Sequence, residues 1–424
     1  MTFDALWSEL LDVGRASSGG YRRFAWTPVD ALLREWFTAT ATGLGLEVLA
    51  DRAGNLWAWW GSPDADGPGL VLGSHLDSVP DGGAYDGPLG VVSALTAVAG
   101  LRDKGFRPAR PVGVAVFADE EGARFGVACA GSRLLTGALD PDRARALRDG
   151  DGTTMAEAMV AAGVDPRHVG RDDETLGRVG TFVELHVEQG RGLVHRDAVV
   201  GVGSAIWPHG RWRVDLLGRA DHAGTTALAD RLDPMLDLAR LVTAAREAAA
   251  EHGALATVGK VRVEPNGVNA IASRVTAWLD ARGPREEGVR AVLSDLVRAG
   301  LPAPVEESWT PRACFDAALG EQVAALLGDV PVLETGAGHD AGVLAADGIP
   351  TTMLFVRNPT GVSHSPHEHA ERDDCLAGVH ALGRVVEHLA GSCMRPGGQD
   401  RSAADAAGAG QEGGRSCRSG AGSR

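Results

Sequence analysis

The sequence predicts an α/β domain that is interrupted by a smaller α+β domain. Strand and helix patterns alternate through the first half of the chain, which is typical of a layered structure with a largely parallel sheet. Between about Pro208 and Phe315 the order becomes strand, helix, strand, strand, helix, strand, which is the ferredoxin-like arrangement. We expect bounds of 1–207 and 317–394 for the interrupted domain and 208–316 for the insertion.

Apolar spacing and turn residues place the elements of the first half. The pattern of residues 28–43 is helical, and Pro28 stands at an early helix position, where proline is tolerated. In chain order, the expected elements are helix 28–43, strands 46–50 and 55–60, strand Gly69–Gly73, helix Val91–Lys104 and strand Pro111–Ala118.

The same rules apply to the rest of the chain. The expected elements of the insertion are a strand in WRVDLLG, helix 231–252, strands 254–264 and 274–281, helix 285–299 and an extended segment at 304–309. The expected elements after it are helix 316–328, strand 350–356 and helix 373–390. From about Arg395 the chain has no Val, Leu, Ile or aromatic residue, so we expect residues 395–424 to form a disordered tail.

The charge balance excludes some classes of partner. The chain has 424 residues, with 41 basic and 56 acidic side chains and a formal charge of −15. Nucleic acids and anionic membranes bind clustered positive charge, so we expect neither as a partner. No run of about 18 apolar residues occurs, and the first residues lack the basic and apolar regions of a signal peptide. We therefore expect a cytoplasmic protein.

His75 and Asp77 directly follow an apolar strand, in GSHLDSV, and Asp86 comes soon after them. Side chains at the carboxyl end of a strand point into the crevice where open α/β sheets place ligands. His75 can offer a neutral imidazole to a metal, while Asp77 can accept the other ring N–H. Alone, each residue is more typical of an ordinary strand end or turn.

Glu120 and Glu121 lie at the end of the next buried strand, in FADEEG. Adjacent carboxylates repel each other unless a cation lies between them or one of them is protonated. One carboxylate can therefore bind a metal while its neighbour transfers protons. In isolation, the pair is as typical of a solvated acidic turn.

Two further histidines follow strand-like runs. His186 lies in ELHVEQG, and His364 lies in a polar loop after TTMLFVR. With His75, Asp86 and Glu121 they form a set of nitrogen and oxygen ligands without sulfur, which suits two borderline divalent ions that share one carboxylate. Because five separate strand-end positions rarely coincide by chance, we expect a metal centre.

Eight segments together resemble a known family. They are GSHLDSVPDGGAYDGPLGV, FADEEGARFG, ELHVEQG, GRADHAGTT, PNGVNAI, DARGP, GAGHDA and SHSPHEHA. They are similar to the di-metal amidohydrolases that include N-carbamoyl-L-amino-acid hydrolases, allantoate amidohydrolases and β-ureidopropionases, which are relatives of the zinc aminoacyl-dipeptidases. The resemblance runs from near the N-terminus to about residue 390. It implies a zinc-aminopeptidase-like catalytic domain with an inserted ferredoxin-like lid domain, through which two subunits form a homodimer.

The resemblance also implies a role for each matching residue. The implied ligands of two divalent ions (Zn, Mn, Co or Ni) are His75, Asp86, Glu121, His186 and His364, with Asp86 as the bridge. Glu120 would be the general base, and Asp77 would orient His75.

Residues of the insertion and of two loops would bind the substrate. His222 in GRADHAGTT would stabilise the oxyanion in the active site of the partner subunit. Asn269 in PNGVNAI and Arg282 in DARGP would hold the substrate carboxylate, although Asn269 could also be a turn former. The further implied substrate contacts are Gln189, Gly338 and His339, of which the last could instead cap the following helix.

The implied reaction is hydrolysis of a C–N bond in an N-carbamoyl or ureido acid. Glu120 would take a proton from a metal-activated water and later deliver it to the leaving nitrogen. Allantoate and N-carbamoyl-L-amino acids are nearly equal candidates, an N-formyl or N-formimino amino acid such as a glutamate derivative is a third, and a dipeptide is a weaker one. A non-catalytic metal- or amino-acid-binding protein on the same scaffold would not need Glu120.

Overall fold

The computed structural model describes residues 1–391, so the tail predicted at 395–424 lies outside the described residues. The strands are β1 Glu47–Ala50, β2 Leu56–Trp60, β3 Gly69–His75, β4 Val112–Phe117, β5 Val179–Val187, β6 Val200–Ile206, β7 His209–Leu217, β8 Asp221–His222, β9 Leu255–Glu264, β10 Ala270–Ile271, β11 Arg274–Arg282, β12 Val305–Thr310, β13 Ala313–Cys314, β14 Val332–Thr335 and β15 Thr351–Val356. The helices are α1 Phe3–Leu10, α2 Pro28–Gly43, α3 Pro63–Asp66, α4 Pro88–Asp103, α5 Ala130–Thr136, α6 Pro141–Ala146, α7 Met155–Ala161, α8 Asp173–Gly177, α9 Pro234–His252, α10 Glu286–Arg298, α11 Ala317–Leu326, α12 Asp340–Ala346 and α13 Arg372–Ala390. Within residues 1–391, no helix has the length and apolarity needed to cross a membrane.

The larger sheet has nine strands in the order β1-β2-β4-β3-β5-β15-β6-β13, and β14 also pairs with β6. Its centre, β4-β3-β5-β15, is parallel, which confirms an α/β class. The pairs β1-β2, β2-β4, β15-β6 and β6-β13 are antiparallel, whereas β14 is parallel to β6, so the prediction of a largely parallel sheet holds for the centre and only partly for the flanks. A short turn suffices to reverse β1 into β2, whereas the parallel strands β3 and β4 need helix α4 as a crossover.

The central strands are covered on both faces. Every residue of β3 and of β4 is buried. Leu70 and Leu72 pack in one core cluster with residues of α4 and α13, whereas Val71 between them packs in a second cluster with residues of α12. Because successive side chains of a strand point to opposite faces, continuous apolar runs such as this one are typical of a sheet covered on both sides.

The second large sheet has four strands in the order β12-β7-β11-β9, all antiparallel. Along the chain its elements come as β7, α9, β9, β11, α10, β12, which is the predicted ferredoxin-like order. Apolar residues of β7 and β11, including Val214, Leu216 and Val275, pack against Leu241 of α9 and Leu296 of α10. The bounds 208–316 for this unit remain a prediction.

One helix starts later than predicted, and some elements were not predicted at all. Helix 28–43 occurs as predicted. The helix predicted from residue 231 begins at Pro234, because the side chain of Asp233 accepts the N–H of Met235 and caps the first turn. Strand β14 and helix α12 were not predicted.

The carboxyl ends of the four parallel strands meet at one edge of the sheet. The loops that follow β3, β4, β5 and β15 carry, in that order, Asp86, Glu120 with Glu121, Gln189 and His364. His75 is the last residue of β3, and His186 is the last but one of β5. This edge is where open α/β sheets bind ligands.

Helix α4 approaches β5 so closely that only glycine fits at one position. A Cβ on Gly90 would lie 2.2 Å from the carbonyl oxygen of Leu185, which is a backbone atom. We expect Gly90→Ala to lower the free energy of unfolding by about 1–3 kcal/mol, because overpacking forces the two elements apart. Urea unfolding followed by circular dichroism measures the change.

Gly100 is the matched control in the same helix. A Cβ there meets no atom within 4 Å, so Gly100→Ala should raise the free energy of unfolding by about 0.5–1 kcal/mol through the better helix propensity of alanine. Equal effects of the two substitutions would contradict the close approach of α4 and β5.

Candidate metal centre

The carboxylate of Asp86 lies between two groups of potential metal ligands. Its Oδ1 is 3.1 Å from Nε2 of His186 and 3.6 Å from Nε2 of His75. Its Oδ2 is 3.4 Å from Nε2 of His364, which is itself 3.6 Å from Oε2 of Glu121. The structure therefore brings together the five side chains predicted as ligands, with one Asp86 oxygen facing each group.

The nitrogen atoms of this set fit divalent cations. Nε2 of His75 and Nε2 of His186 are buried and have no hydrogen-bond partner among residues 1–391. Nδ1 of His75 is 3.1 Å from the carbonyl oxygen of Asp77, and Nδ1 of His186 is 2.9 Å from that of Val187. A carbonyl oxygen can only accept, so each Nδ1 carries the hydrogen and each Nε2 presents a lone pair. This is the tautomer that a metal ligand at Nε2 requires.

Asp77 mainly supports the two glutamates. Its Oδ1 accepts the backbone N–H of Glu120 at 3.1 Å, and its Oδ2 accepts that of Glu121 at 3.0 Å. The same carboxylate is 3.5 Å from Nδ1 of His75, farther than the Asp77 carbonyl oxygen. The predicted orientation of His75 thus comes first from the backbone of Asp77, because the carbonyl oxygen is the closer acceptor.

Negative charge is concentrated among buried groups. Burial raises the pKa of Glu120 well above its ordinary value, and burial together with the nearby Asp86 raises the pKa of Glu121 to about 7. Burial also acts to raise the pKa of Asp86, but the adjacent imidazoles of His186, His364 and His75 hold it well below its ordinary value. Carboxylates this close repel one another, and bound cations would remove the repulsion.

Glu120 borders the ligand set but belongs to neither group of ligands. Its Oε2 is 3.7 Å from Nε2 of His75, and its Oε1 is 3.4 Å from Sγ of Cys129. Glu120 is buried. Its carboxylate is therefore next to any molecule held at the ligands, as the predicted role of a general base requires.

Two side chains hold the Asp86 loop. Oε1 of Glu368 accepts the backbone N–H groups of Tyr85 and Asp86, both at 2.9 Å. Nε2 of Gln189 donates to Oδ2 of Asp86 at 2.8 Å and to Oγ of Ser363 at 3.1 Å. Gln189, predicted as a substrate contact, is thus already bonded to the proposed bridge. Glu368 was not predicted as a site residue, although a glutamate between two histidines in SHSPHEHA was a visible signal.

His339 packs against the ligand set. Its ring centroid is 4.5 Å from that of His186, and its buried Nδ1 has no hydrogen-bond partner among the described residues. His339 occupies the N-cap position of α12, but its side chain makes no capping hydrogen bond, so the alternative of a helix cap is wrong. Gly338 precedes it, and a Cβ there would lie 3.8 Å from Nε2 of His209.

Arg282 lines a cavity of about 790 Å³ together with Gln189 and His364. Its guanidinium donates two hydrogen bonds to the carboxylate of Asp280 and one, from Nη1, to the carbonyl oxygen of Gly336 at 2.7 Å. A guanidinium has five N–H groups, so two remain for a ligand in this cavity. We call this space the Arg282 cavity.

His222 and Asn269 lie side by side on the insertion. The N–H of Ala223 donates to the carbonyl oxygen of Asn269 at 2.9 Å, and β8 pairs with β10. Both residues are exposed. Among the hydrogen bonds and ion pairs of residues 1–391, none joins either of them to the ligand set of the same chain.

Two buried carboxyl groups behind His186 were not predicted. Glu184 accepts hydrogen bonds from Oγ of Ser74 at 3.0 Å and from a backbone N–H of α12 at 3.1 Å. Asp340 accepts one from Oγ of Ser132 at 2.5 Å. Burial raises the pKa of both carboxyl groups. Glu184 could have been noticed as a charge inside an apolar strand, whereas the contact of Asp340 depends on the tertiary fold.

Known proteins are similar to this chain along nearly its whole length. An N-carbamoyl-L-amino acid amidohydrolase from Geobacillus stearothermophilus is 35% identical over 408 residues, which cover 91% of this chain and 98% of that protein. The allantoate amidohydrolase of Escherichia coli (strain K12) is 30% identical over 406 residues, 90% of this chain and 96% of the relative. The crystal structure of an amidase of the hydantoinase/carbamoylase family from Burkholderia vietnamiensis superimposes with a TM-score of 0.81 at 30% identity, covering 91% of this chain and 96% of that one. Residues 71–388 match the family described as Peptidase family M20/M25/M40, and this chain therefore belongs to that family.

Proposed function

We propose that this protein hydrolyses a linear amide or ureido C–N bond of an N-carbamoyl or ureido acid, with two divalent cations at the candidate centre. The observation that carries the proposal is the arrangement around Asp86. Its two carboxylate oxygens face separate groups of potential ligands, and Glu120 lies outside both groups. The names of the relatives, which are amidohydrolases of N-carbamoyl-L-amino acids and of allantoate, support the class of substrate.

The chain provides ligands for two cations and a separate carboxylate that can carry a proton. His75 and His186 would hold one ion, Glu121 and His364 the other, and Asp86 both. Such ions, when bound, polarise a substrate carbonyl and lower the pKa of a water molecule. The borderline character of the ligands suits Zn, Mn, Co or Ni.

Glu120 would perform the proton transfers. Its carboxylate takes a proton from the attacking water, and the raised pKa lets it hold that proton until the leaving nitrogen accepts it. The backbone N–H of Glu120 donates to Oδ1 of Asp77, which holds the main chain from which the Glu120 side chain projects. Asp77 therefore acts on the reaction by positioning the base.

The substrate carboxylate would bind in the Arg282 cavity. The Asp280 carboxylate holds the Arg282 guanidinium in place and leaves two of its N–H groups for the substrate. Asn269 and the backbone at Gly338 would complete the contacts from the insertion and from the loop before α12.

The predicted cytoplasmic homodimer belongs to the same proposal. His222 is exposed and unconnected to the ligands of its own chain, which supports a role in the active site of the partner subunit. Large apolar side chains exposed on the insertion also support an interface there; they are Leu217, Leu228, Leu232, Leu236 and Val268.

Metal removal and reloading test the proposed reaction. Chelation should abolish turnover, and Mn, Zn, Co or Ni should restore it, because the attacking water is a poor nucleophile without the cations. Purified protein is assayed with allantoate, several N-carbamoyl-L-amino acids, N-formyl-L-glutamate and dipeptides for release of ammonia or free amine. Full turnover in a metal-free sample, or turnover of dipeptides alone, would contradict the proposal.

Substitution of the two adjacent glutamates separates proton transfer from metal binding. Glu120→Gln should keep the metal content of the wild type and lower kcat by about 100- to 10,000-fold, because only the proton carrier is lost. Glu121→Ala should lose bound metal instead. Elemental analysis of both variants decides, and unchanged metal content in both would rule out the assigned roles.

Subunit mixing tests the role of His222 across the dimer. His222→Ala and Glu120→Gln should each be nearly inactive, yet a mixture that has exchanged subunits should recover activity. Random exchange at equal amounts gives heterodimers as about half of all dimers, each with one intact site, so activity should reach about a quarter of that of the wild type. If exchange is verified and the mixture stays inactive, His222 does not act in the partner's site.

A further inference from the structure

A second cavity, of about 390 Å³, also borders the candidate centre. It shares no lining residue with the Arg282 cavity. Two of its residues contact the centre directly: Sγ of Cys129 is 3.4 Å from Oε1 of Glu120, and the ring of His339 lies 4.5 Å from that of His186. A substrate held at the centre could therefore extend one group past Cys129 and His339 into this space. We call it the Arg133 cavity.

The walls of the Arg133 cavity are mostly apolar. The apolar lining includes Ile206, Trp309, Pro311, Ala313, Val343 and Ala346. The volume is in the range of ligand pockets, which combine apolar walls with a few polar groups that fix orientation. The apolar lining suits an aliphatic stem.

Arg133 provides the unbalanced charge of this cavity. The two other charged lining residues are already paired, Arg312 with Glu334 and Asp347 with Arg171. Arg133 forms no ion pair within residues 1–391; it donates from Nε to a backbone carbonyl at 3.1 Å and from Nη2 to a threonine hydroxyl at 3.4 Å. The other N–H groups of its guanidinium are free to bind an anion.

His209, on the same wall, does not compete as a cation. Burial lowers its pKa, and the positive charges of Arg282 and Arg133 lower it further. Its Nδ1 contacts the carbonyl oxygen of Trp207 at 2.9 Å. A neutral His209 leaves Arg133 as the group that would attract a carboxylate into the cavity.

We propose that the Arg133 cavity binds an acidic side chain of the substrate, so that the preferred substrates are N-carbamoyl derivatives of acidic L-amino acids with a glutamate-like side chain. This inference rests on the proposed function. Arg282 and Arg133 then bind the two carboxylates of one substrate, from two cavities that each border the candidate centre. The aliphatic stem packs on the apolar walls, and the terminal carboxylate pairs with the half-buried Arg133 guanidinium.

The test compares two substrates that differ only in side-chain charge, N-carbamoyl-L-glutamate and N-carbamoyl-L-glutamine. The metal-loaded wild type should prefer the glutamate derivative by about 10-fold or more in kcat/KM. Arg133→Met should lose about 30-fold or more on the glutamate derivative, mainly through KM, and change the glutamine derivative by less than about 3-fold. Arg133→Lys should retain part of the preference because it keeps the charge.

Arg312→Met is the matched control, since Arg312 lines the same cavity but is neutralised by Glu334. It should change both substrates equally. If Arg133→Met does not fold, Arg133→Gln repeats the comparison. A wild-type preference for the neutral substrate, or an equal loss on both substrates in the Arg133 variants, would overturn the proposal.

Binding without turnover separates this inference from the proposed function. If neither allantoate nor any of the carbamoyl compounds is hydrolysed, the proposed function fails, and calorimetry with N-acetyl-L-glutamate and N-acetyl-L-glutamine then decides on the cavity. Tighter binding of the glutamate compound to the wild type, lost in Arg133→Met, would support the subsite. Equal binding of the two compounds to the wild type would refute it.

Discussion

Carboxylates buried at one edge of a parallel sheet impose the constraint on which the rest of the structure depends. Asp86, Glu120, Glu184 and Asp340 are all buried, and several of their pKa values are raised by the loss of water. Isolated charges in such a place are costly unless hydrogen bonds, protons or cations balance them. Backbone amides, serine hydroxyls and imidazoles supply part of that balance. Divalent cations would supply the remainder, and metal content and stability would then be linked in this protein.

The sequence was most informative where local chemistry decides the structure. Helix 28–43 was located because its apolar spacing is helical and Pro28 marks its start, and the central strands were located because strands covered on both faces are continuously apolar. The flanks of the sheet were not foreseen. Whether β6 lies parallel or antiparallel to β15 depends on packing between segments far apart in the chain, which a single strand pattern does not encode.

The candidate site also has one part that the sequence predicted and one part that it did not. Its five predicted ligands follow strand ends, a position visible in the sequence, and the structure brings them together. The groups that were missed act across long separations: Glu368 bonds to the backbone of Asp86 over 282 residues, and Ser132 bonds to Asp340 over 208. Such partners have no local signature. The ion-pair partner of Arg282 is close in sequence, because Asp280 is only two residues away. Only the observed side-chain directions identify this ion pair.

Asp86 has a further consequence for how the centre fills. In the proposed arrangement one carboxylate serves both ions, so the two binding equilibria are coupled and the coupling is reciprocal. An ion at the His75–His186 group withdraws negative charge from Asp86 and repels a second ion at the Glu121–His364 group. The two groups also differ in character, because one offers two imidazoles and the other an imidazole with an additional carboxylate. Uptake would then be stepwise, with negative cooperativity, and protein produced with scarce metal would hold one ion, of a kind that prefers nitrogen ligands, before it held two.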